Sequence, residues 1–170
     1  MKRLSAFLCT TIATSLTQGA VIDVPGAHET ITEAITSSSD GDVILVGPGT
    51  WAESLDFRGK AITVQSSAGA EVTLITGIPN RSCVSFLNGE TQDAVLDGFT
   101  ITGGDGMPYL GSIVGGGIYM IGGSSPIIRD CVIRDNEAQF GGGVHIALSS
   151  PTFEQCIFSD NTSISNGGAV

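Results

Sequence analysis

The chain has 170 residues, of which 41% are hydrophobic and only 14% charged, and it carries 24 glycines. That balance excludes a coiled coil or an acidic disordered tail, both far richer in charge, and fits an all-β domain with many turns and a real core. The formal charge is −10, with 7 basic against 17 acidic residues, so the chain has no basic footprint for nucleic acid and repels an acidic polysaccharide unless cations bridge the two.

Residues 1–20 read as a secretory signal peptide. Met1-Lys2-Arg3 is a short positive region, Leu4 to Leu16 is mostly apolar but diluted by Ser and Thr, and Thr17-Gln18-Gly19-Ala20 supplies small residues for cleavage. Cleavage after Ala20 puts Gln18 three residues back from the cut, whereas cleavage after Gly19 puts Thr17 there. The stretch is too short to span a bilayer, and no other run is long and apolar enough. The expected location is therefore secreted, extracellular or on the cell outer surface.

Residues 21–42 form an N-terminal extended segment and a capping helix. Val21 to Val24 is a short extended piece that ends at Pro25-Gly26. Thr30 and Glu33 have the spacing of a capping box, and Ile31, Ala34 and Ile35 form one apolar face, so a short amphipathic helix is expected over Thr30 to Ser37. From residue 43 the pattern changes to short strands. Val43 to Val46, Leu55 to Phe57, Ala61 to Gln65, Val72 to Thr76, Cys83 to Leu87, Ala94 to Leu96 and Phe99 to Thr102 are separated by Gly, Asn, Asp or Pro.

An internal repeat organises the second half. Gly115-Gly116-Gly117 recurs as Gly141-Gly142-Gly143 and opens again at Gly167-Gly168, at intervals of 26 residues. Ser125-Pro126, Cys131 and Asn136 recur as Ser150-Pro151, Cys156 and Asn161, each 25 residues later, so loops absorb a one-residue difference that the strands do not. Ala94 to Thr102 is a degenerate earlier copy aligned with Pro126 to Arg134. Such a unit holds three short strands and three turns, and stacked units bury each other's apolar faces in a one-dimensional solenoid. Alternation turns Ile128, Ile133, Phe153 and Phe158 inward and Arg129, Arg134, Glu154 and Ser159 outward. Asp130 and Gln155 fall at a tight corner. Asn136 and Asn161 fall at a second, where their amides can stack as a ladder. The glycines are expected to supply positive-φ turn conformations.

The Gly-Gly-Gly-Ile of 115–118, the Gly-Gly-Gly-Val of 141–144, the Gly-Gly-Ala-Val of 167–170 and Phe158-Ser159-Asp160-Asn161 resemble the repeats of polymorphic outer-membrane proteins. The first unit departs from that pattern, with Ile133 in place of Phe. The Ser-Pro-x-(Ile/Phe)-x-x-Cys element is similar to one found in many secreted bacterial right-handed β-helix proteins. The capped helix and the stretch Gly41 to Trp51 resemble the N-terminal cap and first coil of the pectate-lyase-like superfamily. These resemblances imply an all-β right-handed parallel β-helix over 43–170, a secreted or surface location, adhesion in some members and polysaccharide cleavage in others.

The residues themselves point to binding rather than catalysis. A lyase of this architecture needs an Arg or Lys base beside acidic Ca²⁺ ligands. Without the leader, five basic residues remain: Arg58, Lys60 and Arg81 near turns, and Arg129 and Arg134 on outer strand faces. No lyase, galacturonase or esterase signature is visible, and no catalytic residue is assigned. Asp130, Asp135, Glu154 and Asp160 read as turn and surface acids that offer at most weak Ca²⁺ binding; no other cofactor is expected. His145 lies opposite Tyr119 and reads as a stacked surface pair. The irregular stretch Gly103 to Val114, with Asp105, Met107, Pro108 and Tyr109, is the loop on which binding is expected. Candidate binding residues are thus Asp105, Tyr109, Arg129 and Arg134, and the expected partner is a glycan or a surface protein. The alternative is a polysaccharide lyase or glycoside hydrolase.

Two further expectations follow. Cys131 and Cys156 occupy equivalent places in adjacent turns with side chains in parallel, which suits free, buried thiols better than a disulfide. Residues 167–170 open a further turn, so the chain reads as the front of a longer protein whose uncapped last coil self-associates.

Overall fold

The computed structural model describes residues 19–170. The expected signal peptide falls mostly on residues outside that range. Strand β1 (Val21–Val24) leads to helix α1 (Ile31–Ser37), and the chain then winds through five coils. The first coil contains β2 (Val43–Val46), β3 (Gly49–Ala52) and β4 (Leu55–Asp56), and the second β5 (Thr63–Ser66), β6 (Thr73–Thr76) and β7 (Val84–Phe86). The third contains β8 (Val95–Asp97), β9 (Thr100–Thr102), β10 (Met107–Tyr109), β11 (Ser112–Val114) and β12 (Ile118–Met120). The fourth contains β13 (Ile127–Arg129), β14 (Val132–Arg134), β15 (Glu137–Phe140) and β16 (Val144–Ile146). The last contains β17 (Thr152–Glu154), β18 (Ile157–Ser159) and β19 (Thr162–Asn166).

Strands stack coil on coil into three parallel sheets, ordered β1-β2-β5-β8-β13-β17, β3-β6-β9-β14-β18 and β4-β7-β12-β16. A fourth sheet, β10-β11-β15-β19, includes the one antiparallel pair among the described residues, β10 with β11. The irregular stretch is thus a hairpin whose second strand, β11, stacks in parallel on β15 of the next coil. Two other differences from the sequence reading are local. β3 begins on the last glycine of the Gly47-Pro48-Gly49 break, which masks the strand-favouring Thr50 and Trp51, and pairs with β6. The extended segment at Val21 is itself the first rung, paired in parallel with β2.

The register agrees with the repeat. Ile128 pairs with Phe153 and Ile133 with Phe158, while Leu96 and Ile101 occupy the same two positions one coil earlier. One inward row runs Ile44, Val64, Leu96, Ile128, Phe153, and another runs Trp51, Ile75, Ile101, Ile133, Phe158. Ile128 and Ile133 are fully buried; Phe153 and Phe158 are half-buried and pack against that core from one side. Each fully buried aliphatic side chain contributes about 2 kcal/mol.

Helix α1 begins as its cap residue predicts, with the Glu33 N–H donating to Thr30 Oγ1 at 3.1 Å. The next free N–H groups of the first turn are met from elsewhere. The carboxylate of Glu53 accepts from the N–H groups of Ile31 and Thr32 at 3.0 and 2.9 Å, and so ties the first turn to the first coil. At the other end, Lys60 Nζ donates to the carbonyls of Ile35, Thr36 and Ser38 at 2.5–2.9 Å, where the last carbonyls of a helix need donors.

The glycine triplets serve two purposes, and the sequence reading captured one. Gly115, Gly141 and Gly167 have φ of 58°, 62° and 71°, the left-handed region. The glycines that follow are needed for room. A Cβ on Gly116 would stand 2.3 Å from the Gly142 carbonyl oxygen, and one on Gly117 would stand 2.6 Å from that of Gly143. Gly116→Ala is therefore expected to destabilise by several kcal/mol, because only backbone atoms surround it. Gly69→Ala, at φ +87° with open space around its Cα, should cost about 1 kcal/mol. Urea denaturation of the two variants checks the difference.

Candidate functional site

The four candidate binding residues do not converge. Asp105 and Tyr109 lie on the hairpin insertion, Arg129 on β13 and Arg134 on β14, in three different sheets. Both arginines face outward as expected, but neither stands free. Asp97 is directly opposite Arg129 one coil earlier, and its Oδ2 accepts from Arg129 Nε at 2.9 Å and pairs with Nη2 at 2.8 Å. That bond and charge raise the Arg129 pKa further. Arg134 pairs with Asp135, its neighbour in sequence.

The corner residues behave as a ladder. Asp130 and Gln155 have φ of 51° and 52°, and Asp135 and Asp160 both have φ 53°; Asp tolerates the left-handed region, and Gln155 adopts it at the place equivalent to Asp130. Asn136 Nδ2 donates to Asn161 Oδ1 at 3.0 Å and to the Ile101 carbonyl at 3.0 Å, and its Oδ1 accepts from the Gly104 N–H at 2.9 Å. Asn161 Nδ2 repeats the pattern on the Ile133 carbonyl at 2.8 Å. The acids at these corners are exposed. Among the described residues no three carboxylate, imidazole or thiol groups are close enough to hold a metal ion together.

A concavity lies beside the hairpin. Asp105, Ile113, Glu137, Ala138, Gln139 and Ile164 line a groove of about 320 Å³ between the hairpin and the outside of β15 and β19. Glu137 N–H donates to the Gly104 carbonyl at 2.8 Å, and Asp105 Oδ1 accepts from the Arg81 N–H at 3.3 Å, so the acid-bearing positions are adjacent. Opposed residues of an antiparallel pair share a face. Tyr109 therefore lies with Ser112, on the face opposite to Pro108 and Ile113. The groove and Tyr109 are on different sides of the hairpin.

Tyr109 covers an aromatic column. Its ring centroid is 5.7 Å from that of Tyr119, which is 5.7 Å from that of His145. The Tyr119–His145 stack is as expected, but it is not a surface pair. The hairpin buries Tyr119, leaves His145 half-buried, and leaves the Tyr119 hydroxyl without a hydrogen-bond partner. Burial first, then Tyr109, pushes the Tyr119 phenol up to about 12, and burial lowers the His145 pKa. Sequence reasoning also missed Glu90, which is fully buried. Its carboxylate accepts from Gly59 N–H, Asn88 N–H and Ser124 Oγ at 2.7–3.0 Å, and so joins three successive coils at one corner. No local pattern marks it, because two of its three donors, Gly59 and Ser124, are more than 30 residues away in sequence.

Cys131 and Cys156 are free thiols one coil apart, and each points at an equivalent carbonyl, Leu96 for one and Ile128 for the other. Cys131 is buried as expected; Cys156 is half-buried because no strand of the described chain covers its far side. Cys83 is also free and buried, with its Sγ 3.8 Å from Asn136 Oδ1.

Residues 30–170 match the family described as right-handed β-helix region, and the chain belongs to that family. No curated protein and no solved structure matches it.

Two predictions concern these buried groups. Tyr119→Phe removes an unsatisfied hydroxyl and should leave stability unchanged or raise it by about 1 kcal/mol, as read from thermal unfolding. Burial pushes the Cys83 and Cys131 thiols up to about 12, whereas an unfolded thiol ionises near pH 9. The native state thus keeps protons that the unfolded state loses. The stabilisation is complete below pH 9 and is lost as pH climbs towards 12, at about 1 kcal/mol per pH unit per thiol. Denaturation curves across that window check this, and Cys131→Ala should reduce the slope.

Proposed function

We propose that this chain is a non-enzymatic, secreted or cell-surface β-helix that presents its exterior to a glycan or a protein partner. The observation that carries the reading is the placement of its cations. Of the five basic residues after the expected leader, Lys60 closes the end of α1, Arg58 donates to Thr36 Oγ1, Arg129 is held by Asp97 and Arg134 by Asp135. A lyase base must be free to reach a substrate proton and must shed its own, and Asp97 pulls Arg129 the other way. Arg81 is exposed at the surface, and its backbone N–H donates to Asp105 Oδ1 at 3.3 Å.

Export through the N-terminal leader is part of the same proposal. Ala20 is already tied into the fold, its N–H donating to Asp42 Oδ1 at 2.7 Å and its carbonyl accepting from Val43. Cleavage after Gly19 preserves both bonds, and N-terminal sequencing of exported protein reads the site.

The functional test combines a glycan array with an assay for unsaturated product on pectate and alginate, with and without Ca²⁺. Binding without turnover is the expected outcome. Turnover abolished by Arg129→Ala or Arg134→Ala would overturn the reading. In its absence, Arg129→Ala should only lower stability, by about 1 kcal/mol, because the nearly buried Asp97 loses its partner.

A further inference from the structure

We propose that the groove between the hairpin and the outside of β15 and β19 seats a basic segment of a protein partner. The proposal rests on the binding reading above and narrows it to one class of occupant. The aliphatic part of the groove lining is Ile113, Ala138 and Ile164. The rim holds two carboxylates, Asp105 and Glu137, with the Gln139 amide beside them.

An aliphatic lining beside an acidic rim complements a side chain with an apolar stem and a cationic head. Lysine and arginine are built that way, so their methylenes can cover the isoleucines while the head reaches a carboxylate. A sugar ring stacks best on an aromatic face, and Tyr109 is turned to the other side of the hairpin. A uronate would meet two like charges at the rim. The net negative charge of the chain attracts a basic partner in general. The hairpin strand β10 also departs from coil-on-coil repetition, and such insertions are where solenoids place recognition.

The test titrates the isotope-labelled chain with a short fluorescent peptide of alternating lysine and serine, with glutamate replacing lysine in a control peptide. Binding is read by anisotropy and mapped by amide shifts. Shifts are expected at Ile113, Ala138, Gln139 and Ile164 for the lysine peptide only. Affinity should fall about threefold for Asp105→Asn or Glu137→Gln and about tenfold for the pair, and it should weaken with added salt. Asp93→Asn removes the same charge outside the groove and should leave affinity unchanged. Equal weakening by Asp93→Asn would overturn the proposal in favour of general charge attraction. Shifts at the same amides with a neutral oligosaccharide, and none with the lysine peptide, would overturn the peptide assignment and leave the binding reading standing. Polymer turnover in the lyase assay would instead remove that reading itself.

Discussion

Each coil must lie about 4.8 Å from the next over its whole circumference, because backbone hydrogen bonds between coils set that spacing. Everything that turns a corner has to respect it. At Gly116 and Gly117 the next coil's carbonyl oxygens already stand where a side chain would begin, so the position accepts hydrogen and nothing larger. At Asn136 the same spacing favours a side chain that can donate and accept in one direction. Its amide bonds the carbonyl of Ile101, the N–H of Gly104 and the amide of Asn161, which satisfies corner groups that a strand ladder cannot reach. Glu90 does comparable work at another corner by accepting from three coils at once.

This spacing also decides what stacking does to charge. Residues in register repeat along the exterior, and like charges would meet at one strand separation. On the first sheet the outward row reads Gln65, Asp97, Arg129, Glu154, so the arginine separates two acids and bonds one of them. A sequence with few cations uses them where stacking would otherwise be unfavourable. That ties Arg129 to the stack, while Arg81 stays exposed at the surface.

The fold was legible because the repeat imposes its period on local chemistry. The pairs Cys131/Cys156, Asn136/Asn161 and Ile128/Phe153 recur at a fixed spacing, and fixed spacing in a solenoid becomes vertical alignment. The dependence of each coil on its neighbour was less legible. β3 starts on the last glycine of Gly47-Pro48-Gly49, and its strand pairing is with β6 alone. Glu53 reaches the start of α1 across 21 residues, where Glu33 was the nearer candidate. The candidate site was readable only as a location. Asp105 and Tyr109 were singled out because their loop broke the repeat. Which way each faced depended on the loop becoming a hairpin, since antiparallel pairing put Ile113 and Tyr109 on opposite faces.

The hairpin carries its own energetic signature, and that bears on why it is there. It buries Tyr119 yet offers the phenol oxygen no partner, a cost of about 1–3 kcal/mol that a plain connector like the turn after β15 would avoid. It also places Leu110, 88% exposed and at φ 47°, at its tip. A stretch that only had to close the third coil could do so with fewer residues and no strained tip. The hairpin adds two strands and roofs an aromatic column, and its Ile113 face forms one wall of the groove. Repetition yields a smooth wall of rungs. A groove requires something to stand up from that wall, and in this chain the hairpin is what stands up.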